Sequence, residues 1–388
     1  MEKHRGMLYE SLRYVCLTFA VAFGFLTIVG TGGGGDGGGG GSTPQPSSQD
    51  LITPSTAPRV ASAVGKMTTG IEGALFAITL DVGSGAYSPK TLLKHVEDFV
   101  QYKGDPSSGP DLPVRLLGTL SETEGCSNGG SVTTMISWDG SLVPTDCSDV
   151  VDPTIDFTFE DCQEDSETMN GSVGIFYIGD LCLESPPEFS MYFTDFTYQN
   201  QDDNSDLALD LTMDFSDIQY DGFDYMVGMY LAMNGGIYGT FDGSSLDVTY
   251  DNWAMTFSGI SYDASNEITG LHLNFDGSFS GSIDGSSFDE AYENLVLAFQ
   301  NTAIDSTPGT SLTIDGSYNG RCLDGWINIE TLDPIFIPGS GDSPTSGRLR
   351  LSGSGEATIV FESDGGVTIS VDGQELSYSD YGDLPSCI

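Results

Sequence analysis

Gln201-Asp202-Asp203-Asn204-Ser205-Asp206 sets three carboxylates, two carboxamides and a hydroxyl in one short run, and Asp161-Cys162-Gln163-Glu164-Asp165 sets three more acids in another. Oxygen-rich runs of this kind suit calcium, which accepts irregular cages of about six to eight oxygens. Asp202, Asp203 and Asp206 are the side chains such an ion would use. Neither run has the mid-loop glycine and closing glutamate of an EF-hand, and the plain alternative is a hydrated acidic loop. No other cofactor is implied.

Other chemistry finds less to work with. Carboxylates are too numerous for their types alone to single out a catalytic pair. The three histidines include His95, expected on the open side of a helix, and His272, which stands where an internal repeat has Tyr230. Both read as structural or solvated. No G-x-S-x-G elbow stands between a strand and a helix. Gly32 to Gly41 lacks the Lys-Ser/Thr of a phosphate loop. Trp138, Trp253 and Trp326 could form a glycan or lipid platform, but such aromatics more often pack in cores and cross-strand pairs. The expectation is a protein without catalytic residues.

Charge narrows the partners. Between Leu116 and Gly320 there is no lysine or arginine, against about 36 aspartates and glutamates, and the formal net charge is -45. This field repels nucleic acid and anionic membrane surfaces. A membrane is expected only at the N-terminal segment, and an envelope protein, a glycan or a lipid remain the partner classes.

That segment reads as an export leader. Lys3, Arg5 and Arg13 precede an uncharged apolar run from Val15 to Val29, short for a membrane span and fit for a signal core. Residues 1–31 are therefore expected to be a signal peptide or an anchor. Residues 32–57, rich in Gly and then Ser/Thr/Pro, form a flexible tether. The order resembles a bacterial lipoprotein leader, except that Thr31 stands where the lipid-bearing cysteine would be. The expected location is the periplasm or outer surface of a Gram-negative-type cell. Six cysteines follow the leader: Cys126, Cys147, Cys162, Cys182, Cys322 and Cys387. An even number in an exported chain points to three disulfides, with fifteen pairings open. With no CxxC pair, zinc is not expected.

The elements that position these residues change character along the chain, within one expected domain over 58–388. Val60, Val64, Met67, Ile71, Leu75 and Ile78 recur at helical steps, and Leu92, Leu93, Val96, Phe99 and Val100 form a second stripe behind Ser88-Pro89. The stretch 58–105 is thus read as helical. Six of the nine basic residues beyond the leader lie in or beside it (Arg59, Lys66, Lys90, Lys94, Lys103, Arg115). From 116 to 388 the pattern is β. Ile155, Phe157 and Phe159 alternate with Thr154, Asp156 and Thr158, which puts one face on a core and one in water.

An internal repeat runs through the β region. Gly239-TFDGSSLDVTYDN-Trp253 aligns without gaps to Gly281-SIDGSSFDEAYEN-Leu295, in units near 226–267 and 268–309, and Leu312-TIDGSYN-Gly320 is a shorter copy. Asn234-Gly235, Asp276-Gly277 and Asp315-Gly316 are read as two-residue hairpin turns, followed by Asp364-Gly365 and Asp372-Gly373. Hairpin after hairpin, with no βαβ alternation, predicts a mainly β fold. It would be a large antiparallel meander, curled or barrel-like, with one or two N-terminal helices packed on it.

Cys126-SNGG-Ser131, Asp156-FTFED-Cys162 and Asn170-Gly171-Ser172 resemble the opening of a group of secreted proteobacterial lipoproteins. Gly325-WINIETLDPIF and the segment from Pro344 to Gln374 resemble their close. The resemblance implies an envelope location, a β-rich body and a Cys126–Cys162 bridge, but no activity. Cys147–Cys182 and Cys322–Cys387 then remain, while Cys126–Cys147 with Cys162–Cys182 is the rival set. The functional expectation is a non-enzymatic envelope protein, a structural or binding module. Its alternatives are a carrier of an apolar ligand, with the 58–80 helix as plug or lid, and a calcium-dependent surface adhesin.

Overall fold

A computed structural model describes residues 49–64, 119–140, 150–164, 166–179, 188–202, 204–222, 225–241, 243–264, 268–304, 307–320, 323–339 and 343–385. The leader, most of the tether, the 58–80 face beyond residue 64 and the Leu92–Val100 stripe lie outside these residues. The described part of the first helix, α1, covers 57–64, with Pro58 in its first turn, a position where the missing N–H costs nothing.

Among the described residues, everything else of regular structure is strand, apart from a 3-10 turn at Tyr381–Asp383. The first strands are β1 (Thr119–Gly125), β2 (Gly129–Gly140), β3 (Val150–Glu164), β4 (Glu167–Tyr177), β5 (Phe189–Asn200) and β6 (Ser205–Tyr220). The longest follow: β7 (Met226–Phe241), β8 (Ser244–Tyr262), β9 (Ile268–Ile283) and β10 (Ser286–Ile304). The last are β11 (Thr307–Asn319), β12 (Ile327–Pro338), β13 (Ser346–Ser352), β14 (Glu356–Phe361), β15 (Val367–Val371) and β16 (Gln374–Tyr378). They follow one another in chain order through the sheet, the antiparallel meander that the alternating pattern predicts, with β1 and β16 at its two open ends. By contacts the chain forms two compact units, and the division falls within β7 and β8 rather than between domains in sequence.

The first unit holds β1 to β6 with parts of β7 and β8. Strict alternation builds it. In β6, Leu207, Leu209, Leu211, Met213 and Phe215 are buried while Asp206, Ala208, Asp210, Thr212 and Asp214 face out. Each such large side chain contributes roughly 1.5–3 kcal/mol when removed from water. Phe189 stacks on Phe215 with ring centroids 4.4 Å apart, a cross-strand pair in register.

The second unit holds β9 to β16, parts of β7 and β8, and α1. Its core is a run of touching rings from Tyr250 and Trp253 through Phe275, Phe279 and Tyr292 to Tyr318, with neighbouring centroids 5.7 to 6.3 Å apart. Ala57, Val60, Ala61 and Val64 of α1 are buried.

The Asx-Gly pairs do not all serve as two-residue turns, and this corrects the sequence reading. Asp364-Gly365 sits in the longer connection between β14 and β15, with positive φ at Gly365 alone. Asp284-Gly285 and Asp372-Gly373 are true two-residue turns with positive φ at both residues (50° and 77°, 49° and 74°), as primed turns require. Asn234-Gly235, Asp276-Gly277 and Asp315-Gly316 are not turns; they lie inside β7, β9 and β11. Gly235 faces the carbonyl of Asp210 in the regularly alternating part of β6, whereas the other two pairs face β-bulges. Asn252 in β8 and Asn294 in β10 each take a left-handed φ of 48°, which asparagine tolerates, and the carbonyl of each is aimed at Gly277 and Gly316 respectively. Only glycine leaves room, because a Cβ there would overlap that carbonyl.

The preceding Asx side chain serves the strand on the other side. Asp276 Oδ1 accepts from Asn294 N at 2.7 Å, and Asp315 Oδ1 accepts from Thr331 N at 2.8 Å. The first unit repeats the device. Asp161 and Asp195 are bulged at φ 47° and 48°, Gly171 faces the Asp195 carbonyl, and Asn170 Oδ1 accepts from Asp161 N at 2.6 Å. The bulges shift register between Phe159 and Cys162, Phe193 and Phe196, and Tyr292 and Leu295.

The two glycine classes should separate on substitution. Gly285→Ala, at a turn with open space around it, should cost about 1–2 kcal/mol, the price of a left-handed alanine. Gly277→Ala adds a backbone collision and should cost about 3 kcal/mol or more. Urea unfolding of the two variants checks this; equal losses would contradict the assignment.

Candidate functional site

The residues with chemistry to offer gather in the first unit, at the end of the sheet where β1 turns into β2, β3 into β4 and β5 into β6. Cys126 and Cys162 are joined as a disulfide with Cα atoms 5.4 Å apart. This excludes the rival set built on Cys126–Cys147. Cys147, Cys182, Cys322 and Cys387 lie outside the described residues. The bridge closes a loop with a sequence separation of 36, for which chain-entropy reasoning gives about 4 kcal/mol of stabilisation. Ser127 N donates to Glu164 Oε1 at 2.8 Å, and the Ser127 hydroxyl donates to Oε2 of the same carboxylate.

Next to the bridge lies a buried polar network that sequence reading missed. Glu167, at 5 % exposure, opens β4 on the inward side. Its Oε1 accepts from the Tyr198 hydroxyl at 3.0 Å and from Asn200 Nδ2 at 3.4 Å. Asn200 Oδ1 in turn accepts from the Ser166 hydroxyl at 3.3 Å and from Asp202 N at 2.9 Å. The network ties the β3–β4 turn to the β5–β6 turn. Parity was the available signal: Glu167 shares the inward side of β4 with Met169, and Asn200 that of β5 with Tyr198.

The calcium candidates are placed close by but are engaged separately. Asp202 Oδ2 accepts from the Ser166 hydroxyl at 2.6 Å, and Asp206 Oδ1 accepts from Gln199 Nε2 at 3.2 Å. Asp203 lies outside the described residues. Among the described residues, the one group of three ligand-bearing side chains within a metal's reach is Cys126, Cys162 and Glu164. In the disulfide its two sulfurs are not thiolates, the form that binds metals. In the other run, Asp161 is a bulge residue of β3, and Asp165 lies outside the described residues.

The aromatic candidates also resolve. Trp253 is buried in the ring core of the second unit. Trp326 is half-buried, and its carbonyl accepts from Asp50 N at 3.0 Å. Trp138 stands half-buried in β2. His272 is on the exposed side of β9, and His95 lies outside the described residues. On the outer face of the first unit the Tyr192 ring covers Gly174, and its hydroxyl donates to Asp156 Oδ1. Burial, and then that bond, push the Tyr192 phenol far above its ordinary value.

Three core tyrosines are shifted in the same direction. Burial pushes Tyr250, Tyr292 and Tyr318 well above the ordinary phenol value of 10.0, and Glu290 adds to the shift at Tyr292 and Tyr318. The Tyr318 hydroxyl donates to Glu290 Oε2 at 2.5 Å.

Two outcomes follow from this geometry. Asn200→Ala removes its bonds to Glu167 and Tyr198 from a buried network and should lower stability by about 1–3 kcal/mol, read from urea unfolding. The tyrosine shifts are upward, so their contribution is fully present below pH 10.0 and is lost as pH rises above it, when the unfolded chain ionises first. Absorbance at the phenolate band should therefore show these three tyrosines titrating only together with unfolding. Free titration in the folded protein would contradict their burial.

No protein-family model, curated protein or solved structure matches this chain.

Proposed function

We propose that this chain is a non-enzymatic cell-envelope protein, a structural or binding module carried on the N-terminal tether. The observation that carries this reading is the filled interior of the second unit, where rings from Tyr250 to Tyr318 touch one another. A carrier of an apolar ligand would need an open apolar cavity of several hundred Å³ in that place. The Cys126–Cys162 bridge supports an oxidising compartment, in keeping with the leader. The outward Asp206, Asp210 and Asp214 of β6 would be costly in a lipid-facing band, which supports a module standing in water rather than a membrane barrel.

On this reading the acidic face keeps the module soluble and repels other anionic surfaces, and partners meet it through uncharged or cationic groups. The experiment is fractionation of cells with native mass spectrometry of the purified protein. The expected result is envelope recovery, protected thiols and a mass with no lipid adduct. Cytosolic recovery with free thiols would sink the location, and a stoichiometric apolar ligand would favour the carrier.

Salt gives a second check. Repulsion among the carboxylates should make the melting temperature rise with ionic strength, with magnesium and calcium acting alike. A calcium-specific rise that Asp206→Asn abolishes would instead favour the adhesin.

A further inference from the structure

Residues 49–64 enter the second unit as an extended arm followed by α1. Gln49 bridges Trp326 in parallel fashion, and Asp50 N donates to the Trp326 carbonyl at 3.0 Å. On the arm's other side Ser354 N donates to the Asp50 carbonyl at 2.8 Å, and the Ser354 hydroxyl donates to the Gln49 carbonyl at 3.1 Å. Gly353 and Gly355 form the floor; a Cβ on either would overlap the carbonyl of Asp50 or Ile52. Farther on, the Tyr381 hydroxyl donates to the Ala61 carbonyl at 2.7 Å.

One group fits this clamp badly. Asp50 is 1 % exposed. Its Oδ1 accepts from the next backbone N–H, Leu51, at 2.9 Å, the Asp324 backbone N–H also bears on the carboxylate, and Oδ2 is buried without a well-formed hydrogen bond among the described residues. The charged groups that face it are Arg59 of α1 and Asp324 of the turn before β12, and Arg59 is already paired with that exposed Asp324 at 3.2 Å. We propose that the arm is a pH-sensitive latch, held tightly to the sheet when Asp50 is protonated and loosened when it is charged.

The sign follows from the burial. Burial raises the Asp50 value above the ordinary 3.8, outweighing the Leu51 and Asp324 backbone bonds and the attraction of Arg59. Docking thus takes up a proton. It is favoured most below the free-aspartate value and weakens as pH rises through the docked value. Released, residues 49–64 would form a free segment able to span up to about 50 Å.

The test is amide hydrogen exchange on the full chain, corrected for intrinsic rates. Peptides covering 50–61 and 352–356 are compared with β14–β15 peptides at acid and neutral pH. Relative protection of the arm should fall by about tenfold for each unit by which Asp50 is raised. Asp50→Asn should hold the arm at its acid-like protection throughout. Arg59→Met removes the attracting charge and should steepen the dependence. A flat wild-type profile, or a dependence unchanged in Asp50→Asn, would overturn the latch. If Asp50→Asn loses the β14–β15 protection as well, Arg59→Met decides alone, and an unsteepened profile there overturns the proposal.

Discussion

The fold depends on one recurring joint, a left-handed Asp or Asn bulged out of one strand with its carbonyl aimed at a glycine of the next. In the second unit it couples Asn252 to Gly277 and Asn294 to Gly316; in the first it couples Asp161 to Gly130 and Asp195 to Gly171. Strands of up to 19 residues would accumulate strain if twist and register ran uninterrupted. A bulge resets register and increases twist locally, at the cost of an unpaired residue. The Asx side chain of the Asx-Gly pair repairs part of that cost by accepting the stranded amide, as Asp276 does for Asn294.

The joint also accounts for part of the acid content. Asp276 and Asp315 are there as amide acceptors, and Asp161 and Asp195 because they tolerate positive φ. They are structural before they are electrostatic. The outward Asp206, Asp210 and Asp214 of β6 are the other kind, filling the water-facing half of an alternating strand. Near its C-terminal end the balance differs. Arg348 pairs with Asp333 and Arg350 with Glu330 across β12 and β13, exposed pairs of modest worth.

Much of this was legible. Alternation gave the fold class, and Val60 and Val64 of the predicted first helix are buried as a helix face. The 42-residue repeat is the β7–β8 hairpin matched to the β9–β10 hairpin, with Asp284-Gly285 as a turn. The error over Asn234-Gly235, Asp276-Gly277 and Asp315-Gly316 has a physical source. A primed turn and a bulge partner both need a glycine at positive φ after a small acceptor, so the same dipeptide serves both. The distinguishing signal was a change of parity. Leu246, Val248 and Tyr250 are buried at even positions of β8, then Trp253, Met255 and Phe257 at odd ones, with Asn252 between. Phe189, Met191 and Phe193 give way to Phe196 and Tyr198 around Asp195 in the same way. The Glu167 network and Asp50 were harder to find, because a buried acid looks like any other in a chain so rich in them.

If the joints organise the sheet, their capped amides are core groups rather than surface defects. Site-resolved native-state hydrogen exchange of Asp161, Asn294 and Thr331 tests this most directly, because each gives its N–H to a side-chain oxygen inside a bulge. The account predicts protection matching that of flanking strand amides, lost only in global or subglobal unfolding. Exchange of these three at the rate of hairpin-turn amides such as Asp372 would contradict it.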